Sequence, residues 1–448
     1  MAKKLWLGSI GILACFLLYF FLPDYIPEVG KRVTAVFLFA LVFWAFEIIP
    51  LYATSLLIIL LLTFLLSSPI DRLGEGLHFF LLPFSSPVIM LFLGGLTLAA
   101  AAAKHGVDQF FLEKMVSRLG GKSHRLVIGL LFISALFSLW ISNTAAAAML
   151  LILIKPILAQ IEEDDPLRKG AVLAVAFGAS IGGLGTPIGS PPNAIAIGIL
   201  DEHGIQLDFL SWMVMAVPLA ICLLLIAAVV LLFFFRPKSR MIPFKIEKTS
   251  VLKKKGWGVL AVGAVMVLAW LTKPLHGISE GIVGLSGVGL LAAFQLISAK
   301  DIRQIPWDLL ILMWGGLALG EAVASSELIT NALAGTPLLL HSFVLIAGFC
   351  LLAMFLTSVI SNTATANLLL PIALSIDPSG QNLLPITVAL ACSFSLAFPI
   401  STPPNTLVYG TGMVATRDMS KSGAVISLLS LIIMLLGFKI VIPWAFRL

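Results

Sequence analysis

One tripeptide, Ser142-Asn143-Thr144, sits at the centre of a long apolar stretch between Leu126 and Leu158. A single bilayer crossing needs about 20 residues, so this stretch is too long for one simple span. Its far end carries Glu162, Glu163, Asp164, Asp165, Arg168 and Lys169, and its near end follows Lys114, Arg118, Lys122 and Arg125. Both ends therefore lie in water. The arrangement recurs as Ser361-Asn362-Thr363, set between Phe343–Ile360 and Ala364–Ile376. Lipid does not tolerate a non-helical tip, but a cavity lined by protein does.

Composition fixes the solvent. Hydrophobic residues make up 60% of the 448 and charged residues 11%, where a soluble domain carries roughly 25% charged. Mean hydropathy is +1.09. The apolar runs are too long for barrel strands, which need only about 9–11 alternating residues. The expected class is an all-α polytopic membrane protein with the lipid bilayer as its surroundings. The formal charge of +6 comes from basic residues in loops, as the positive-inside rule predicts, and does not point to nucleic acid. Cys15, Cys222, Cys350 and Cys392 sit far apart in apolar runs and read as buried packing thiols, with no disulfide or metal spacing.

Lys3 and Lys4 precede the run Leu5–Leu22, and Leu22-Pro23-Asp24-Tyr25 offers no small-residue cleavage site, so a retained first helix with an inside N-terminus is expected. Val33–Ile49, Ala53–Leu66 and Pro87–Ala103 follow as spans, with Pro50 and the polar stretch Ser67–Gly76 as breaks. The basic stretch from Lys104 to Arg125 then falls inside, lying on the membrane surface. If the segment around Ser142 crossed once, the basic loop from Arg236 to Lys255 would land outside. A re-entrant hairpin, followed by spans Ala171–Leu200 and Trp212–Phe235, places it inside, and the positive-inside rule selects the hairpin. Spans Gly258–Leu271, Gly281–Ile297 and Trp307–Ala324 lead to a second hairpin entering from outside. A broken span, Leu384–Ala415, and a last helix, Ala424–Trp444, put the C-terminus outside. The expected total is about 11 transmembrane helices plus two re-entrant hairpins.

Three motifs recur in the same order at nearly one offset. Gly94-Gly95-Leu96 returns at Gly315, Ser142-Asn143-Thr144 at Ser361, and Pro191-Pro192-Asn193 at Pro403-Pro404-Asn405. Since one hairpin enters from inside and the other from outside, the halves are inverted. Inverted repeats with broken helices mark secondary transporters.

A helix ending inside the membrane exposes carbonyls at one end and amides at the other, suited to a cation and an anion respectively. Hydroxyls and amides, without thiolate or imidazole, suit a hard alkali cation. Ser138 lies four residues before Ser142, and Thr357 four before Ser361, so each hydroxyl pair shares a helix face. Gly189 and Ser401 precede Pro-rich breaks and can offer carbonyls freed from helix bonding. Lys155 reads as snorkelling to the inner surface, Glu47 as interfacial or scaffold, and the Gly-Gly pairs as close helix contacts. The six histidines form no metal spacing.

Trp140-Ile141-Ser142-Asn143-Thr144-Ala145, Gly189-Ser190-Pro191-Pro192-Asn193, Ser361-Asn362-Thr363-Ala364-Thr365 and Thr402-Pro403-Pro404-Asn405 resemble the divalent anion/sodium symporter (DASS, INDY-like) family across essentially the whole chain. The resemblance implies a homodimeric elevator transporter in the cell membrane that moves C4-type dicarboxylates (succinate, malate, fumarate) with Na+. It implies one sodium site at Ser138, Ser142, Asn143 and the Gly189 carbonyl, and another at Thr357, Ser361, Asn362 and the Ser401 carbonyl. Substrate would meet Ser142, Asn143, Thr144, Ser190, Pro191, Ser361, Asn362, Thr363, Thr402 and Pro403. Ser401 stands where the family leads one to expect Ala. On this scheme residues 1–125 and 257–342 are scaffold, 126–235 and 343–448 are the two transport-domain halves, and 236–256 is a cytoplasmic loop. A dicarboxylate exchanger and a sulfate or citrate carrier are the alternatives on the same fold. An intramembrane hydrolase would need a nucleophile with a base, paired carboxylates or a metal motif, and the sequence shows none. A channel is the remaining class, which saturable sodium-dependent exchange would argue against.

Overall fold

The computed structural model describes residues 26–70, 76–242, 250–326, 342–377 and 383–438, together with 6, 8, 11–13, 17 and 19–23. Much of the run Leu5–Leu22 with Cys15, part of the stretch Ser67–Gly76, part of the basic loop and the end of the last span at Trp444 lie outside the described residues.

Regular structure among the described residues is helical, apart from an isolated antiparallel bridge between Lys122 and Met241. In chain order the α-helices of eight or more residues are α1 (Glu28–Ala45), α2 (Leu51–Ile70), α3 (Pro87–Lys104), α4 (Val107–Val116), α5 (Ser123–Ser138), α6 (Asn143–Leu158), α7 (Pro166–Gly182) and α8 (Pro191–Glu202). They continue with α9 (Phe209–Phe234), α10 (Lys254–Leu271), α11 (Glu280–Ala293), α12 (Trp307–Ser325), α13 (Ser342–Thr357), α14 (Asn362–Ile376), α15 (Leu384–Ala391), α16 (Pro403–Gly410) and α17 (Thr416–Phe438). Among the described residues α3, α9, α10, α12 and α17 are long and apolar enough to cross a bilayer unaided.

The two interrupted segments are helix hairpins. Helices α5 and α6 have 16 residues each, about 24 Å at 1.5 Å per residue, short of the roughly 30 Å hydrocarbon core. Helices α13 and α14, with 16 and 15 residues, repeat this. Both expected broken spans are broken. The first stops at Gly182 and resumes at Pro191, and the second stops at Ala391 and resumes at Pro403. The stretch before α3, read from sequence as a break, instead carries α2 through to Ile70 and a 3-10 helix, Gly76–Ser85.

The chain divides into two compact units. The first comprises residues 1–89, 194–207 and 306–392. Its core joins Phe43 and Trp44 of α1, Ile58 and Leu62 of α2, Leu312 and Leu319 of α12, and Ala364 and Leu368 of α14. The α1–α2 turn is closed by the Trp44 indole, which donates to the Leu51 carbonyl at 3.2 Å. Glu47 sits exposed in that turn with φ of +44°, which accords with a scaffold position. Gly315 of α12 faces Ser55 and Gly316 faces Asn367, so the Gly-Gly pair serves close helix contact.

The second unit comprises residues 90–193, 208–305 and 393–448. Its centre is α7, buried along nearly its whole length from Gly170 to Gly182. Gly178 and Gly182, one turn apart, let the α5 backbone approach, for a Cβ on either would strike the carbonyl of Leu131 or Ala135. Ser134 Oγ donates across the same contact to the Val175 carbonyl at 2.7 Å. A helix so enclosed can stop within the membrane without exposing backbone to lipid.

Polar ties in this unit fall into two sets. Lys104 pairs with Asp301 at 2.6 Å, Lys169 with Asp418 at 2.8 Å, and Lys238 with Asp164. Ser123 Oγ donates to the Ser239 carbonyl, and Glu113 accepts from the Ser250 amide. Every partner lies in a segment that the charge pattern assigns to the inside. Hydrogen bonds from Lys104, then from Ser298, hold the Asp301 carboxyl at about 2. The other set joins Lys273 to Glu280, and Glu280 to the Phe209 amide, all in segments assigned to the outside. No tie named here joins one set to the other.

One expectation about the cysteines is corrected. Cys350 and Cys392 are buried, but Cys222 is exposed on α9. Its helix presents Ile221, Leu225 and Val229 outward as well, and a thiol is apolar enough to face lipid beside them. Cys15 lies outside the described residues.

The glycine contacts yield a stability prediction. A Cβ on Gly94 would lie 2.5 Å from Gly284 Cα, whereas one on Gly348 of α13 meets no atom within 4 Å. Gly94→Ala is expected to destabilise the protein by about 1–3 kcal/mol through forced backbone movement. Gly348→Ala is expected to be neutral or to stabilise by up to about 1 kcal/mol from helix propensity. Thermal midpoints of the detergent-purified proteins decide it, and equal midpoints would refute the Gly94–Gly284 contact.

Candidate functional site

Both hairpin tips are built the same way. Ser142 caps α6 by accepting from the Ala145 amide at 3.3 Å, and Ser361 caps α14 by accepting from Ala364 at 3.2 Å. Those caps leave the first amides of each helix, at Asn143–Thr144 and Asn362–Thr363, without intrahelical acceptors. Such an end favours an anion. Ser138 Oγ donates to Asn143 Oδ1 at 2.5 Å. Thr357 Oγ1 donates to Asn362 Oδ1 in the corresponding contact, and also to the Cys392 carbonyl at 3.0 Å. Ser138 and Thr357 are both fully buried. At each tip a hydroxyl and an asparagine carboxamide therefore come together.

In the second unit the first break completes a cage around Asn143. Gly183, just beyond α7, abuts the Asn143 carboxamide so closely that a Cβ would strike Oδ1. Gly189 faces the Gly183 carbonyl, where a Cβ would stand at 2.6 Å, and the Ser138 carbonyl at 3.1 Å. Thr186 Oγ1 donates to the Leu139 carbonyl at 2.6 Å, tying the break to the tip. Ser138, Asn143 and Gly189 thus come together, with Ser142 next to Asn143 in the chain. Gly183 and Thr186 were not legible as members, since neither belongs to a repeated motif.

The Pro-Pro-Asn motif explains why the Gly189 carbonyl is open. In a continuous helix it would accept from the residue three or four positions on. Three on is Pro192, which has no N–H. Four on is Asn193, whose amide donates instead to the Ser190 carbonyl at 3.1 Å. The second break repeats the device. Three residues after Ser401 is Pro404, and four after it is Asn405, whose amide donates to Thr402 Oγ1 at 3.3 Å.

Other carbonyls released by the breaks are taken. The two N–H groups of Asn193 Nδ2 are shared among the carbonyls of Gly183 at 2.9 Å, Thr186 at 2.8 Å and, more distantly, Leu184 at 3.3 Å. The Trp212 indole also donates to Leu184, at 2.9 Å. Those of Asn405 Nδ2 are shared among the Leu396 carbonyl at 3.2 Å, the Phe398 carbonyl at 3.0 Å and Ser401 Oγ at 3.2 Å. Freed from helix bonding, these other carbonyls are taken by the asparagine side chain. Ser401, unexpected from the resemblance, supplies its hydroxyl to that contact and donates on to Phe398 at 2.7 Å.

The remaining expected residues differ in setting. Ser142 and Thr144 are exposed and Asn143 half-buried, whereas Thr363 is buried. Ser190 and Thr402 are buried, and Pro403 is exposed. Thr402 is the N-cap of α16, with Ser180 Oγ 3.5 Å away. Thr357, Ser361, Asn362 and Thr363 belong to the first unit, and Ser401, Thr402 and Pro403 to the second. Lys155 is exposed near the end of α6, in keeping with snorkelling. No member of the site titrates near neutral pH, since all are Ser, Thr, Asn, Gly or Pro.

The cage predicts the effect of adding one methyl group. Gly183→Ala is expected to displace the Asn143 side chain and to lower transport by at least about tenfold, the factor for roughly 1.4 kcal/mol. Gly348→Ala, where the added methyl meets no atom within 4 Å, supplies a control for expression and handling. Uptake by reconstituted protein at matched amounts measures this, and wild-type rates in Gly183→Ala would remove Gly183 from the site.

Comparison with known proteins agrees with this architecture. Residues 41–393 match the family described as citrate transporter, CitMHS. The sodium-dependent dicarboxylate transporter SdcS of Staphylococcus saprophyticus is 29% identical, over 95% of this chain and 89% of its own. An uncharacterized transporter of Haemophilus influenzae is 32% identical over 95% of each chain, and one of Methanocaldococcus jannaschii 31% over 94% and 95%. Among solved structures, the YdaH transporter of Alcanivorax borkumensis superposes with a TM-score of 0.56 at 17% identity, covering 88% of this chain and 96% of that one. MtrF of Neisseria gonorrhoeae gives 0.53 at 14%, covering 96% and 97%. These two show the fold alone. The resemblance read from the paired motifs is borne out, and the chain belongs to the citrate transporter family of multi-pass membrane transporters.

Proposed function

We propose that this transporter imports C4-type dicarboxylates such as succinate, malate and fumarate, coupled to Na+. The observation that carries the reading is the duplicated hydroxyl–carboxamide contact, Ser138 with Asn143 and Thr357 with Asn362. A sodium ion takes oxygens as ligands, and each contact holds two of them side by side. The Gly189 carbonyl, stripped of helical donors by proline, adds a ligand to the first contact, with Ser142 alongside.

Coupling follows from the two ends of one carboxamide. When Na+ takes Asn143 Oδ1 and Ser138 Oγ, Nδ2 of the same amide is fixed in direction and available to a carboxylate. The exposed Thr144 hydroxyl and the first amides of α6 serve the same carboxylate, with Ser190 and Pro191 beside them. Asn362 and Thr363 have the corresponding roles at the other tip. The site residues carry no formal charge, so the dianion is balanced by Na+ and by helix amides. Each ligand then raises the affinity of the other by the same factor. The relatives named as sodium-dependent dicarboxylate transporters support this reading. We further assign residues 126–235 and 343–448 to an elevator-type transport domain within a homodimer, with the N-terminus cytoplasmic and the C-terminus outside.

Uptake of labelled succinate into proteoliposomes under inward Na+, K+ or proton gradients tests the proposal. Uptake is expected with Na+ alone, and Asn143→Ala and Asn362→Ala are each expected to abolish it while the protein still folds. Uptake indifferent to Na+ but accelerated by internal dicarboxylate would replace import by exchange. Citrate or sulfate uptake without succinate uptake would overturn the substrate class.

A further inference from the structure

The most regular feature of the fold that lies outside the binding residues is the pair Asn193 and Asn405. Both side chains are fully buried. Each reaches back across its own break to the carbonyls nine and seven residues earlier, Leu184 and Thr186 in one half, Leu396 and Phe398 in the other. The third contact differs. Asn193 takes the Gly183 carbonyl, and Asn405 takes the Ser401 hydroxyl. This difference falls at one repeat position, Gly189 against Ser401. A Cβ on Gly189 would crowd the Gly183 carbonyl at 2.6 Å, so the first half omits the side chain and lets Asn193 hold that carbonyl directly.

The contacts bear directly on the cage. The Gly183 carbonyl held by Asn193 belongs to the residue that abuts Asn143 and faces Gly189. The backbone amides of Asn193 and Asn405 are meanwhile turned to Ser190 and Thr402, which leaves Gly189 and Ser401 without a helical donor. Side chain and main chain of one residue thus close some carbonyls and leave another open. A buried carbonyl without a partner carries a desolvation cost and would otherwise draw the chain into a different turn.

We propose that Asn193 and Asn405 are positioning residues for cation binding, each holding its own break in the one shape that presents the Gly189 or Ser401 carbonyl to an ion. Neither touches ion or substrate. This rests on the sodium-coupled reading given above, and it adds that cation affinity is set from behind the ligand shell by a carboxamide clamp repeated in both halves.

The test compares Asn193→Ala and Asn405→Ala with Asn367→Ala. Asn367 is equally buried and donates to one backbone carbonyl, that of Leu312 at 3.0 Å, which belongs to helix α12 and not to a break. Sodium dependence is read from succinate uptake in proteoliposomes, and separately from the Na+-induced rise in melting temperature without substrate. Asn193→Ala and Asn405→Ala are each expected to raise half-saturating Na+ about fivefold or more, the factor corresponding to one net hydrogen bond. The KM for succinate at saturating Na+ should stay within about twofold, as a loss confined to the ion step requires. Asn367→Ala should lower the melting temperature without moving half-saturating Na+. Folded clamp variants with unshifted Na+ dependence would overturn the proposal, as would an equal shift in Asn367→Ala. Should the alanine variants fail to fold, Ser401→Ala keeps the test open. It removes one contact from Asn405 and retains the carbonyl, with about a twofold rise in half-saturating Na+ expected and no rise refuting the role. Wild-type protein lacking both Na+-dependent uptake and Na+-dependent stabilisation would instead overturn the sodium-coupled reading itself.

Discussion

Backbone groups that leave a helix inside a membrane have no water to turn to, and the structure is organised around meeting that demand. Two helices stop in mid-span, at Gly182 and Ala391, and neither resumes until a Pro-Pro-Asn sequence. The prolines cannot continue the helical ladder, which opens the break. The asparagine that follows returns its side-chain amide to the released carbonyls. Break and repair are thus encoded within three residues. Without the repair, the same stretch would carry several buried carbonyls unpaired, each costing about 1–3 kcal/mol.

Close packing of small residues makes the break possible and shapes what it surrounds. Helix α7 is sheathed in protein because Gly178 and Gly182 let α5 approach to backbone contact. That approach brings Ser138, at the end of α5, to the level of Gly183 and Gly189. The cage around Asn143 is therefore a by-product of helix packing with no free volume for a methyl group. The two halves are related but not copies. Gly189 gives way to Ser401, and the exposed Thr144 has a buried counterpart in Thr363.

The polar ties of the second unit give independent support to the inverted arrangement. Lys104, Lys169 and Lys238 find their partners in Asp301, Asp418 and Asp164, segments widely separated in sequence yet assigned to one side by charge counting. Lys273, Glu280 and Phe209 meet on the other. A first hairpin that crossed the membrane instead of returning would place Ser123 and Ser239 in different layers, and their hydrogen bond could not form. Exposed pairs of this kind add little stability. Their value here is as markers of sidedness.

Much was determined by sequence alone. Apolar run lengths, the paired Ser-Asn-Thr and Pro-Pro-Asn motifs and the basic loops were enough for an all-helical membrane transporter built on duplicated motifs. These are legible because they follow from local chemistry: hydrophobic length, the missing N–H of proline, and charge placement along the chain. Gly183, Thr186, Trp212, the clamp made by Asn193 and Asn405, and the outward-facing Cys222 were decided only by tertiary structure. A glycine is written the same way whether it borders a ligand cage or an open turn, and an asparagine whether it binds substrate or backbone. What separates them is which atoms from distant parts of the chain lie within 3 Å, and that is settled when the helices pack.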